Sequence, residues 1–135
     1  MTMDNPAVLI VEDNLTEQKV LSLLLGRMGY RVIIAGGGHA ALEALRLNKD
    51  IVLVLMDWQM QDMDGLECTR RIREAQKTDG PQIPIVGVTA RAMLGDKQKC
   101  IQAGMNAYLS KPFTAVQFED TITHWALRRT SQRMA

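Results

Sequence analysis

Residues 51–65 read IVLVLMDWQMQDMDG, and the way this stretch changes character at Asp57 decides the fold. Residues 51–56 are an unbroken apolar run of strand formers, which fits a strand buried on both faces of a parallel sheet rather than one with a wet side. An acid, Asp57, follows at once. Residues 58–63 show no period, and Asp64-Gly65 then precede Leu66, Cys68, Ile72 and Ala75 at helical spacing. Asp57 therefore falls where a central strand gives way to a loop. In open parallel sheets that edge is where ligands bind, because the loops at the carboxyl ends of the strands open into a crevice.

Working outward, the same alternation recurs. Ala7–Val11 (AVLIV) is a short apolar strand ending in the acids Glu12-Asp13. Asn14 is placed to cap a helix carrying Leu21, Leu24, Leu25 and Met28 on one face, with Gly29 at its end. Arg31–Ala35 (RVIIA) predicts a second strand. Gly36-Gly37-Gly38 lacks the Lys-Ser/Thr ending of a phosphate loop and the spaced glycines of a dinucleotide site, so it reads as a permissive turn. Ala41, Ala44 and Leu45 give the next helix a narrow stripe, and His39 has no partner at ligand spacing. Thr78-Asp79-Gly80-Pro81 signals a turn. Residues 84–89 (PIVGVT) predict a fourth strand ending in a hydroxyl, and Met93, Cys100 and Ala103 a fourth helix closed by Gly104. Ala107–Ser110 is a short fifth strand running into Lys111-Pro112-Phe113. Phe118, Ile122 and Trp125 mark a last helix, and residues 128–135 read as a polar tail. Five strands alternating with five helices predict an α/β doubly wound parallel sheet, helices on both faces, as one domain over residues 1–127.

Composition narrows the function. The chain has 135 residues, enough for a core without staples, and its 47% hydrophobic content is that of a globular domain. Sixteen basic residues against 15 acidic leave a net charge of +1, which offers no footprint for nucleic acid or an anionic membrane. Too few residues follow Lys111 for a DNA-reading module. Cys68 and Cys100 lie in helical patterns without a Cys or His at metal spacing, so both are expected as buried free thiols. No apolar run is long enough for a membrane span, and MTMDNP lacks a signal pattern; the expected location is cytoplasmic.

At the carboxyl edge of such a sheet, strand one delivers Glu12 and Asp13, strand three Asp57, strand four Thr89 and strand five Lys111. Three crowded carboxylates repel one another, so a cation must hold them. A hard divalent ion that keeps its waters, Mg2+, suits a few protein oxygens with room left for a phosphate. A carboxylate nucleophile, a metal, a lysine and a hydroxyl are the parts of phosphoryl transfer, and pairing of Lys111 with Asp57 would keep that acid ionised. The expected product is an acyl phosphate on Asp57.

The motifs Glu12-Asp13, Met56-Asp57 with Met60 and Met63-Asp64-Gly65, Thr89-Ala90, and Tyr108 three residues before Lys111-Pro112 resemble the response-regulator receiver domain over roughly residues 7–127. The resemblance implies a flavodoxin-like strand order of 2-1-3-4-5. It implies that Asp57 accepts a phosphoryl group from a phosphohistidine on a sensor histidine kinase or histidine phosphotransfer protein. Glu12, Asp13, the Asp57 side chain and the backbone carbonyl of Gln59 would hold Mg2+, while Thr89 and Lys111 would each meet a phosphoryl oxygen. Thr89 and Tyr108 would form the switch that changes the face of the fourth helix, fifth strand and fifth helix. Gln59 and Arg91 stand at the two variable positions that in the family bear on phosphoryl lifetime. One departure is Gln61, where the family commonly has proline, and it is expected to loosen the loop after Asp57. The C-terminal half is similar to receivers attached to hybrid histidine kinases; Met1 and the lack of an output domain fit either a stand-alone regulator or a module of a larger chain. Met93 and Leu94 fit either partner contacts or core packing and ordinary exposure, the output partner is unnamed, and a homodimer through the last helix stays open.

Three other readings share parts of the pattern. A haloacid dehalogenase-type phosphatase also uses an aspartate after a strand, but wants a second acid where Gln59 stands. A flavin module of this topology needs phosphate-cradling loops after strand one, where Glu12-Asp13 would repel a phosphate. A degenerate receiver that only binds a partner would have lost some of these chemical groups, and all are present.

Overall fold

The structure is a computed structural model describing residues 6–76, 82–90 and 93–134. The turn expected at residues 78–81 and the flanking position Arg91 lie outside the described residues.

Five parallel strands, β1 (Ala7–Val11), β2 (Arg31–Ala35), β3 (Ile51–Asp57), β4 (Ile85–Thr89) and β5 (Ala107–Ser110), form one sheet in the order β2-β1-β3-β4-β5. Between them run α1 (Leu15–Arg27), α2 (Gly38–Leu47), α3 (Gly65–Ala75) and α4 (Asp96–Ala103), with α5 (Ala115–Met134) last. Every residue of β1 is buried, as are the first six of β3. Their alternate side chains serve two cores. Val8, Ile10, Leu53 and Leu55 pack with Leu21 and Leu25 of α1 and Phe118 and Ile122 of α5. Leu9, Val11, Val54 and Met56 pack with Ala41 of α2, Cys68 and Ile72 of α3 and Cys100 of α4. The unbroken apolar runs are thus the mark of strands with helices on both sides.

Local chemistry sets the helix ends. Asn14 caps α1 by accepting from Glu17 N at 2.9 Å, and Asp64 caps α3 by accepting from Glu67 N at 2.8 Å. Gly29, with φ of +89°, lies just past α1 in the left-handed region. The turn at residues 36–38 has a tertiary reason: a Cβ on Gly38 would lie 2.3 Å from Met63 Cγ.

Two expectations are corrected. Met93 has the spacing of an α4 core residue but lies outside that helix, which starts only after Gly95 in a left-handed conformation at φ +88°. Met93 is 66% exposed and Leu94 fully so, which removes core packing as their role. The polar stretch from Arg128 is not an irregular tail in its backbone, because α5 continues to Met134. No helix among the described residues is long and apolar enough to cross a membrane.

Candidate functional site

Register brings the functional residues together. Val11 of β1 pairs with Met56 of β3, so Glu12 and Asp57 leave the sheet in step; Asp57 pairs with Val88, and Thr89 with Ser110. Thr89 and Lys111 therefore follow at the same edge, where Lys111 N donates to Thr89 O at 2.8 Å. The strand order reverses across β1 and β3, and there a cleft of about 270 Å³ opens. Glu12, Asp13, Asp57, Gln59, Thr89 and Lys111 line it together with Asn14, Glu17 and Ala90.

Carboxylate oxygens of Glu12, Asp13 and Asp57 lie within 4.8 Å of one another. Glu12 is only 3% exposed. Its Oε2 accepts from Asn14 N at 3.1 Å, while the buried Oε1 has no hydrogen-bond partner among the described residues. Burial, followed by the nearby Asp57 carboxylate, outweighs the pull of the Asn14 N–H and Lys111 and pushes the Glu12 carboxyl up to about 7. Burial raises Asp57 as well, against the Glu12 hydrogen bond, the Lys111 charge and the Gln59 backbone N–H, which pull it down. Desolvated like charges with one orphaned oxygen are what a hard cation satisfies. The donor set, all carboxylate oxygen at a water-accessible cleft, fits Mg2+.

Lys111 departs from its expected pairing. Its Nζ lies 3.1 Å from Glu17 Oε2 and 3.9 Å from Glu12 Oε1, and it forms no ion pair with Asp57. The lysine reaches Asp57 through its field alone. Gln61 also departs from expectation: its N–H, which a proline would lack, donates to Asp13 Oδ2 at 3.2 Å and ties the loop back to β1. Tyr108 does not line the cleft; it is half-buried against the α4 side of the sheet, opposite Gly87. Sequence reasoning missed Glu17. Its one available signal was position, three residues after the Asn14 cap and facing the cleft.

A doubly wound five-stranded sheet with an acidic cleft at the carboxyl ends of β1 and β3 defines the receiver class of signalling domain. The response regulator receiver domain model matches residues 8–123, and the chain belongs to that family. It is 38% identical over 130 residues to the sensor histidine kinase RcsC of Escherichia coli, covering 96% of this chain and 13% of that protein. The chain thus spans a small part of the curated relatives it matches. Among solved structures it is similar to the receiver domain of sensor histidine kinase PA1611 from Pseudomonas aeruginosa, which has a magnesium ion coordinated in its active site cleft. That match has a TM-score of 0.80 and 34% identity, covering 91% of this chain and 98% of that one. A second neighbour is the receiver domain of the Saccharomyces cerevisiae response regulator Ssk1, crystallised with the histidine phosphotransfer protein Ypd1. There the TM-score is 0.83 and the identity 28%, over 94% of this chain and 92% of that one.

Proposed function

We propose that this receiver accepts a phosphoryl group on Asp57 from the phosphohistidine of a histidine kinase or histidine phosphotransfer protein. The observation that carries the reading is the convergence of the Glu12, Asp13 and Asp57 carboxylates within 4.8 Å of one another, with Thr89 and Lys111 at the same rim. Glu12, Asp13, Asp57 and the Gln59 carbonyl would hold Mg2+, which when bound supplies neutralisation of the phosphoryl oxygens.

An Asp57 oxygen attacks phosphorus. The P–N bond to the donor imidazole breaks with its electron pair returning to the ring, and a P–O bond forms the acyl phosphate. Thr89, buried at the end of β4, donates its hydroxyl to one phosphoryl oxygen, and Lys111 offers its ammonium to another. The cleft needs no separate general base, because the nucleophile is already a carboxylate. The domain works as a phosphoacceptor that assists its own phosphorylation and hydrolysis, with Thr89 and Tyr108 as the switch. The phosphoryl group shifts the population of two arrangements of the half-buried Tyr108 by its differential contacts. The readout face is α4, β5 and α5; Met93 and Leu94, just before α4, and Ile101 on α4 expose apolar surface for a partner. The similarity to RcsC and PA1611 supports a receiver of the hybrid histidine kinase type, facing the cytoplasm.

Intact mass after incubation with acetyl phosphate tests this reading. A gain of one phosphoryl group that requires Mg2+ and disappears in Asp57→Asn is the expected result. No gain, with failure of a phosphohistidine donor as well, would leave a partner-binding domain without phosphoacceptor chemistry.

A further inference from the structure

Glu17 is the third residue of α1, and its N–H is satisfied by the Asn14 side chain at 2.9 Å. In a capping box the carboxylate at this position turns back to the cap residue's own N–H. Here that N–H is already taken by Glu12 Oε2. The Glu17 carboxylate instead spans the cleft mouth to Lys111 Nζ at 3.1 Å, shorter than the 3.9 Å from Lys111 to Glu12. Lys111 is therefore drawn to the α1 side of the cleft, while Asp57, the group that would react, has no ion pair with it. Glu17 also adds a fourth carboxylate to the cleft lining.

We propose that Glu17 is a positioning residue that parks Lys111 away from Asp57 and releases it only when a phosphoryl group competes for the ammonium. The proposal rests on the phosphoacceptor reading above. A phosphoryl group on Asp57 brings more negative charge than one carboxylate and several strong acceptor oxygens, so Lys111 transfers to it and Glu17 is left to solvent. The parked arrangement costs the phosphorylated state the energy of a partly exposed ion pair, and the Glu17 charge opposes an incoming anion. Both effects hold the resting domain toward its unphosphorylated form.

The test uses the full chain, beryllofluoride with Mg2+ as the phosphoryl probe, and tryptophan fluorescence, since Trp58 adjoins Asp57. Glu17→Gln keeps the helix position and removes the charge. Its affinity for the probe should rise about three- to fivefold, the size expected of a half-exposed ion pair. On a Lys111→Met background the same substitution should tighten binding clearly less, because only the repulsion between Glu17 and the anion is then removed. Equal tightening in both backgrounds would show simple charge repulsion, and no tightening on the natural background would show no parking; either overturns the proposal. A second readout needs neither metal nor probe: in protein carrying 13C-methylated lysines, Glu17→Gln should move the Lys111 signal, assigned by its loss in Lys111→Met. An unmoved signal also overturns the proposal. Failure of the unaltered chain to bind the probe would instead sink the phosphoacceptor reading, and the parking role with it, while the lysine signal still reports whether the contact exists.

Discussion

Gly65 sits so close to Asp57 that a Cβ built on it would lie 2.2 Å from the Asp57 carbonyl oxygen. The Gly65 N–H donates to Trp58 O at 2.7 Å, so the first turn of α3 is locked beneath the peptide that carries the acid. The obstacle is backbone, which cannot swing aside as a flexible side chain would. Gly65→Ala should therefore cost at least about 2 kcal/mol in urea unfolding. Because relief requires the end of β3 to shift, phosphorylation by acetyl phosphate should fall further than the loss of folded protein explains. An alanine variant with unchanged stability would show that the contact is not binding.

Glu12 gives the metal-free domain a distinctive pH dependence. Its folded pKa is raised from 4.5 to about 7 by burial and the adjacent Asp57. Between those values the folded state binds more protons than the unfolded chain, so stability falls as pH rises through that window. The loss from this group is on the order of 3 kcal/mol at most. Glu12→Gln should flatten the profile and raise metal-free stability near pH 8, as measured by urea unfolding in chelator. A profile that rises with pH over the same window would contradict the assignment.

The same carboxyl should make Mg2+ binding compete with protons. Below about pH 7 the cation must displace a proton from Glu12, so its apparent dissociation constant should grow about tenfold per pH unit. Above that point the dependence should level off. Titration of tryptophan fluorescence with Mg2+ between pH 5.5 and 8.5 measures it, and Glu12→Gln should abolish most of the binding at every pH.

What the sequence made legible follows from which constraints are local. Asp57 stood out because a buried strand ends on it, and Glu12, Asp13, Thr89 and Lys111 followed once each strand end was placed on one edge. Those are consequences of chain order and parallel register. Met93 was misplaced because its spacing to Cys100 suits a helix, while the interruption depends on the backbone at Gly95. Glu17 was hidden for a different reason: an acid in a helix's first turn already has an explanation in the helix dipole. Its contact with Lys111 joins elements far apart in sequence, as does the tie between Gln61 and Asp13.

Burial settles the chemistry of the cysteines. The Cys68 thiol is fully buried, with Sγ 3.8 Å from Gly38 O, and burial pushes it up to about 12; burial also raises Cys100. At pH 8 the Cys68 thiolate fraction is then on the order of 1 in 10,000. The folded domain should give no fast reaction with a disulfide reagent, and both thiols should appear in urea. A thiol that reacts at once under native conditions would contradict the packing of α3 or α4.

Asp62 ties the loop after Asp57 to the start of α2. Its Oδ1 accepts from Gly38 N at 3.0 Å and its Oδ2 from His39 N at 3.1 Å, so an acid in the loop after Asp57 caps α2 from across the fold. Gly37 has no capping side chain of its own to offer. The His39 and Gly38 N–H groups hold the Asp62 carboxyl below the usual value of 3.8. A lowered pKa contributes stability that is present above 3.8 and is lost as pH falls through the folded value. Asp62→Ala should therefore cost about 1 kcal/mol at pH 7, typical of an exposed cap, and less at pH 2.5. Asp62→Asn keeps an acceptor but not the charge, and should fall between the two. Urea unfolding at both pH values separates the outcomes: an alanine variant with the same deficit at pH 2.5 as at pH 7 would mean that Asp62 acts by packing rather than as a charged cap.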